Sequence, residues 1–371
     1  MRIAPFQAIL PNLRLISSFD RFFKTVKEAY AQYAAHGFFQ KAAQESIYVY
    51  RIEQEGRAHW GYVCAVHIED YLQGHIKPHE HTLAQKEQQQ LHLMLQRKAQ
   101  VKPVLLTWQG QDNLLVYARR WAALHDPTLD LELDTEDSRH TLWAISDGAA
   151  IRQVQDEFSR RVSTTYIADG HHRSKVVAML YERAADADRQ SQFEWLLAAC
   201  FPTDQLRIWD YNRVIDTRNE ISFTRFLARL SEYCDITYMD IPHQPRAPHY
   251  MTLFLANEWY ALRWKSQWVR PVQPQLPVLD VDLFNRYVLG DILGIMDVRH
   301  DKRVSYVAGR HGLEGLKEKV LKNEHRMGFC LYPVAMEDFL TISDAGCTLP
   351  PKSTWFEPRM KNGLIVKELM L

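Results

Sequence analysis

The run Tyr166-Ile167-Ala168-Asp169-Gly170-His171-His172-Arg173-Ser174 is the strongest local signal of chemistry in the sequence. An apolar strand, Thr164 to Ala168, leads into it. A helix carrying Val176, Val177, Leu180 and Ala184 on one face leads out. The first N–H groups of a helix lack intrahelical acceptors, and the macrodipole puts partial positive charge there. Such an end suits an anion, above all a phosphate. Gly170 lets the backbone approach a ligand closely. Arg173 can clamp phosphate oxygens through two N–H bonds, and His171 and His172 add donors near neutral pH. Ser174 completes the phosphate-binding set. Asp169 could bind Mg²⁺ or orient a histidine. The plainer alternative is a turn with Asp169 as cap and the histidines satisfied locally.

Two other segments carry chemistry. In Ile76-Lys77-Pro78-His79-Glu80-His81-Thr82 a carboxylate lies between two imidazoles and near a lysine. That suits Glu80 to general-base work, with His79 and Thr82 as substrate contacts. His75, His79 and His81 do not follow the H-E-x-x-H helix pattern, so zinc is not expected. The bland reading is a polar loop capping a helix. In Leu349-Pro350-Pro351-Lys352-Ser353-Thr354-Trp355-Phe356-Glu357-Pro358-Arg359, prolines hold the chain extended. Lys352, Ser353, Thr354 and Arg359 are available to an anion there, while Trp355 and Phe356 read as anchors to a core. Tyr211-Asn212-Arg213 and the charged run from Asp297 to Arg303 are further polar clusters, and solvated ion pairs account for most such runs.

These segments need a folded scaffold, and 371 residues suffice for two or more cores. Hydrophobic residues make up 46% and charged residues 24%, as in globular chains. Lys plus Arg and Asp plus Glu both total 45, so composition gives no pull toward nucleic acid. Five cysteines without a C-x-x-C pair fit a reducing compartment. No apolar run suggests a signal peptide or a membrane span, so the cytoplasm is expected.

Helical spacing runs from Phe19 to Gly37, and from about Leu83 to Ala99 with Thr82 and Gln85 as a capping box. Ser46 to Arg51 and His59 to His67 alternate as strands, with Glu55-Gly56 between them, and read as a β-hairpin or two neighbouring strands. Val101 to Trp108 and Asn113 to Ala118 read as strands about the turn Gly110-Gln111-Asp112. A helix is expected over Gln192 to Ala199, a strand over Leu206 to Tyr211, and a hairpin over Tyr250 to Trp264 turning at Asn257-Glu258. Proline-rich stretches, Ile241 to His249 and Pro271 to Pro277, read as connections. They place a domain boundary near residue 240, giving regions 1–240 and 241–371. The mixture lacks a strict βαβ rhythm and predicts an α+β fold.

Together the segments resemble the bacterial family known as domain of unknown function 1015. The likeness rests on Ile3-Ala4-Pro5-Phe6, Lys77-Pro78-His79-Glu80-His81-Thr82 with Lys86-Glu87, and Ile167 to Arg173. It continues through Leu206 to Arg213 and Asp301-Lys302-Arg303, and ends in Leu349 to Pro358. Near the start, Leu15-Ile16-Ser17-Ser18-Phe19-Asp20 replaces the family's Pro-Pro-Tyr-Asp-Val stretch. More distantly, Asp169-Gly170-His171-His172-Arg173 with an upstream His79-Glu80 pair is similar to free-serine kinases of the ParB/sulfiredoxin-like superfamily. That resemblance implies a ParB/sulfiredoxin-like core with a C-terminal α+β extension. It implies a nucleotide-dependent interconversion of serine and phosphoserine with ATP or ADP and Mg²⁺. Glu80, Asp169 and His172 would be catalytic, with Mg²⁺ at Asp169. Gly170, His171, His172, Arg173 and Ser174 would hold phosphate, and His79, Thr82, Asn212, Arg213 and Lys352 the substrate. A phosphoserine phosphatase, a nucleotide-binding switch and a non-catalytic structural protein are the rival readings.

Overall fold

A computed structural model describes residues 1–110, 113–271 and 273–369. The fold is α+β, as the mixed pattern implied. It divides into two compact units, Met1–Arg207 with Pro358–Leu371, and Ile208–Glu357. The division falls upstream of the proline-rich stretch that marked residue 240. That stretch connects Cys234–Tyr238 to Tyr250–Leu255, two strands of one sheet inside the second unit. Composition could not show that the last residues return to the first unit.

The first unit is built on a nine-stranded sheet. Its order is Ile76–Lys77, Thr165–Asp169, Val104–Trp108, Trp195–Pro202, Arg57–His67, Ile47–Gln54, Ser138–Ile145 and Leu129–Leu133, with Ile3–Ala4 pairing Arg57–His67. Only Ile76–Lys77 with Thr165–Asp169, and Val104–Trp108 with Trp195–Pro202, run parallel. Of the two arrangements expected around Glu55-Gly56, the hairpin forms: both residues take positive φ, 51° and 71°, which matches strand twist in a two-residue turn. Val49, Tyr62, Cys64, Leu106 and Ala198 meet Phe158, Val176 and Val177 from the helices in one core. A smaller sheet orders Phe39–Lys41, Ala8–Pro11, Val366–Glu368 and Ala99–Gln100, and so fastens the C-terminal strand between N-terminal ones.

Three local expectations are corrected. Asn113–Leu124 is a helix, not a strand: Leu114, Leu115 and Ala118 bury one helical face. Gln111 and Asp112 of the expected turn lie outside the described residues. Trp195–Pro202 is a strand, preceded by the helix Ala187–Phe193. It lies between two strands, so nearly every side chain is buried and alternation disappears. Thr82 is not the cap of Ala84–Arg97; its hydroxyl goes to the Glu87 carboxylate.

The second unit is a six-stranded antiparallel sheet, ordered Cys234–Tyr238, Glu258–Trp264, Tyr250–Leu255, Arg326–Leu331, Tyr211–Asp216 and Val304–Ala308. Its hairpin turns on Ala256 and Asn257, φ 50° and 64°, one residue before the expected pair. The helix Gly312–Val320 packs Leu316 and Val320 against Val214, Phe254 and Cys330. No helix among the described residues is long and apolar enough to cross a membrane.

Candidate active site

Strand Thr165–Asp169 pairs antiparallel with Val104–Trp108, but the register shifts between Ile167 and Asp169. A bulge of this kind re-aims the side chain that follows it. Here the next side chain is Asp169, at the end of the strand. Gly170 follows with φ 113° and ψ 23° and caps the helix His171–Glu182 without a side chain. A Cβ on Gly170 would stand 2.7 Å from Arg173 Nη2. The glycine therefore makes room for the folded-back Arg173 guanidinium. This is a more local reason for glycine than the approach of a ligand.

Arg173 Nη2 donates to Asp169 Oδ2 at 2.9 Å and to the Pro103 carbonyl at 3.3 Å. Lys102 Nζ donates to the same Oδ2 at 3.3 Å. Burial alone would raise the Asp169 carboxyl. Lys102, then Arg173 and Arg359, outweigh burial and hold it well below the usual carboxylate range, so it is ionised. Burial pulls the Lys102 ammonium down; Asp169 opposes this, and Arg173 and Arg359 add to it. Three cations thus act on this carboxylate, and two of them, Lys102 and Arg173, share its Oδ2. Arg173 Nε is buried with no acceptor among the described residues. A buried cationic donor without a partner calls for an explanation.

The backbone repeats the pattern. The N–H groups of Arg173 and Ser174 turn back to the Gly170 carbonyl at 2.9 and 3.0 Å. Those of Gly170, His171 and His172 have no acceptor among the described residues. They are the open amides of a helix start, beside the three cations.

The two histidines mainly accept hydrogen bonds. His171 Nε2 accepts from the His79 N–H at 3.3 Å, and the two rings meet edge to face with centroids 4.4 Å apart. His172 Nε2 accepts from the Leu83 N–H at 3.2 Å. Burial pushes His171 down to about 4, despite Asp169, and drives His79 well below its usual value with His171 adding to the effect. Both are neutral near pH 7, so the His171 proton sits on Nδ1, where it can be donated. Burial, then Lys86, lowers His172 as well. Glu80 is half-buried. It lies one residue beyond His79, a step of about 3.8 Å along the chain. Its backbone is thereby strung between two anchor points, His171 and His172, on the helix His171–Glu182.

Other expected site residues have local duties. The Ser174 hydroxyl donates to the Gly170 carbonyl at 3.4 Å. Thr82 is tied to Glu87. Asn212, Arg213 and Lys352 belong to the second unit. Arg213 is buried against Asp210 at 3.1 Å, and its Nη2 donates to the Lys352 carbonyl at 3.2 Å. The Lys352 ammonium lies 4.8 Å from the Tyr211 ring centroid. Asn212 donates to the Gly312 carbonyl at 3.3 Å. Lys102 was missed from the sequence, although a lysine and proline directly before an apolar strand is a usable signal. Arg359 stood among the anion contacts but was not joined to the loop.

Mg²⁺ at Asp169 does not fit this arrangement. Its Oδ2 already accepts from Lys102 and Arg173, and the charges acting on it most strongly are all positive. Among the described residues no group of three or more His, Cys, Asp or Glu side chains gathers to hold a metal.

Solved structures of similar course include a free serine kinase variant in complex with ADP. It is 12% identical, with a TM-score of 0.42, covering 83% of this chain and 92% of that one. SbnI with a C-terminal truncation, from Staphylococcus aureus, is 10% identical with a TM-score of 0.43, covering 81% and 85%. A conserved hypothetical protein from Pyrococcus furiosus is 13% identical with a TM-score of 0.38, covering 80% and 93%. No curated protein matches the chain. The model of a family described as protein of unknown function, DUF1015, matches residues 9–282, and the chain belongs to that family.

Proposed function

We propose that this chain is a phosphotransferase acting between a nucleotide and the hydroxyl of a small metabolite, with free L-serine as the substrate that the sequence resemblance to ParB/sulfiredoxin-like serine kinases implies. The reading rests most on one observation. An ionised Asp169 is outnumbered by Lys102 and Arg173, which both bond to it, at an open helix start, with Arg173 Nε buried and unmatched. A dianionic phosphate would supply the missing negative charge and the missing acceptors.

Phosphoryl transfer needs positioning and charge neutralisation more than covalent help. In this scheme Lys102, Arg173, Arg359 and the amides from Gly170 to His172 hold the phosphates. Asp169 positions Lys102 and Arg173. Glu80 takes the proton as the substrate oxygen bonds to phosphorus and the bond to the leaving phosphate oxygen breaks. ATP and ADP both present the required group. The test is conversion of phosphoserine and ADP into serine and ATP, followed by phosphorus NMR alongside the reverse reaction. Serine and ATP appearing together support the reading. Phosphate release that ignores ADP would replace it with a phosphatase, and no turnover in either direction, with the ATP–ADP couple or with the ADP–AMP couple, would remove it.

A further inference from the structure

The second unit contains a cavity of about 220 Å³ whose lining no part of the proposed reaction uses. This is below the range of roughly 300–1,000 Å³ for drug-sized ligands, so it suits a small metabolite and not a nucleotide. Ile215, Ile221, Ile292, Leu293 and Ile295 form the aliphatic part of its lining, beside Thr217 and the charged side chains. Its rim carries unmatched positive charge. Arg225 and Arg229 stand one turn apart on the helix Phe223–Tyr233, and both line the cavity. Like charges at this spacing repel. Neither has a carboxylate partner among the described residues: Arg225 is exposed, and Arg229 donates to the carbonyls of Asp291 and Ile292 at 2.7 and 3.3 Å. The acidic groups at the rim are already paired, Glu220 with Arg303 at 2.7 Å and Asp216 with Arg326 at 3.4 Å.

The wall is unusual. Phe284–Ile292 is a π-helix of nine residues, a conformation that is rare and recurs at functional sites. It ends at the cavity. A helix end presents carbonyls that repel anions. Here Arg229 takes the last carbonyls of the segment, and Arg303 Nη1 takes that of Leu293 at 3.3 Å. The negative end is therefore covered, and an anion in the cavity meets guanidinium.

We propose that this cavity binds a small carboxylate with a branched aliphatic body, its carboxylate at Arg225 and Arg229 and its alkyl group against the isoleucines. Planar guanidinium groups match a carboxylate in geometry and charge, and the isoleucines give an alkyl group apolar neighbours that a bare anion would not use. The probe is isovalerate, followed by saturation-transfer NMR and calorimetric titration, with acetate and inorganic phosphate as comparators. Isovalerate should bind, and acetate about tenfold more weakly or worse for want of the alkyl group. Arg225→Ala should weaken isovalerate by about tenfold while leaving the circular dichroism and melting curve unchanged, since Arg225 is exposed and holds no other residue. Three results would each overturn the proposal: no isovalerate binding at millimolar concentration, equal affinity in Arg225→Ala, or an Arg225-dependent preference for phosphate over isovalerate.

Discussion

Acidification should strip stability from the first unit in a window set by His171. This side chain is 6% exposed, and burial brings it down to about 4. The ordinary value is about 6.5. The folded state therefore resists the proton, while the unfolded chain accepts it as pH falls through about 6.5. Stability is intact above that point, declines toward about 4, and loses no more to this residue below it. At about pH 4.5 the loss from His171 amounts to ~2.5 kcal/mol, at 1.36 kcal/mol per pKa unit. The local cause is visible. A protonated Nε2 becomes a donor and confronts the His79 N–H that it serves as acceptor. His171→Gln keeps an acceptor without titrating. Urea denaturation of both proteins near neutral pH and at about pH 4.5 isolates the effect. Asp169 does not interfere, because three cations keep it ionised well below that pH. The wild type should lose ~2.5 kcal/mol more than the variant over that interval. Equal losses would mean that His171 is not held neutral, and the account of how the two loops are tied together would fail.

Gly170→Ala combines a positive φ with a Cβ 2.7 Å from Arg173 Nη2, so it should cost about 1–2 kcal/mol and also weaken phosphate binding. Thermal unfolding with and without added ADP separates the two effects; an unaltered melting temperature would deny the close approach. Glu80→Gln should lower turnover by roughly 10²–10⁴-fold with nucleotide affinity retained, as expected for a general base. Full turnover in that variant would assign the proton elsewhere. Asp169→Asn removes the carboxylate that Lys102 and Arg173 share. The protein should lose stability in low salt and regain more of it from added phosphate than the wild type does; an identical phosphate response would show that Asp169 does not balance these cations.

The strand, glycine and helix start around Asp169 were legible because the signals are local: an apolar run, a glycine and a 3.6-residue stripe. The Glu55-Gly56 turn was legible for the same reason. Asn113–Leu124 was not, since a short apolar run fits either element and burial on one face decided it. Trp195–Pro202 carries no alternation because it lies between two strands. At the site the basic character of the loop could be read, but its extent could not. Lys102 reaches Asp169 across 67 residues of sequence, and Arg359 returns with the C-terminal segment. The histidines were expected to donate to a ligand. Only the structure shows their Nε2 atoms receiving the His79 and Leu83 amides.

The excess of positive charge around Asp169 is tested most directly by calorimetric titration of ADP into the wild type, Lys102→Ala and Arg173→Ala at two salt concentrations. Bound phosphate should draw on both side chains. Each substitution should weaken ADP by about tenfold or more, and added salt should weaken it further in the wild type. ADP that fails to bind the wild type, or that binds all three proteins alike, would contradict the reading of this loop as a phosphate cradle.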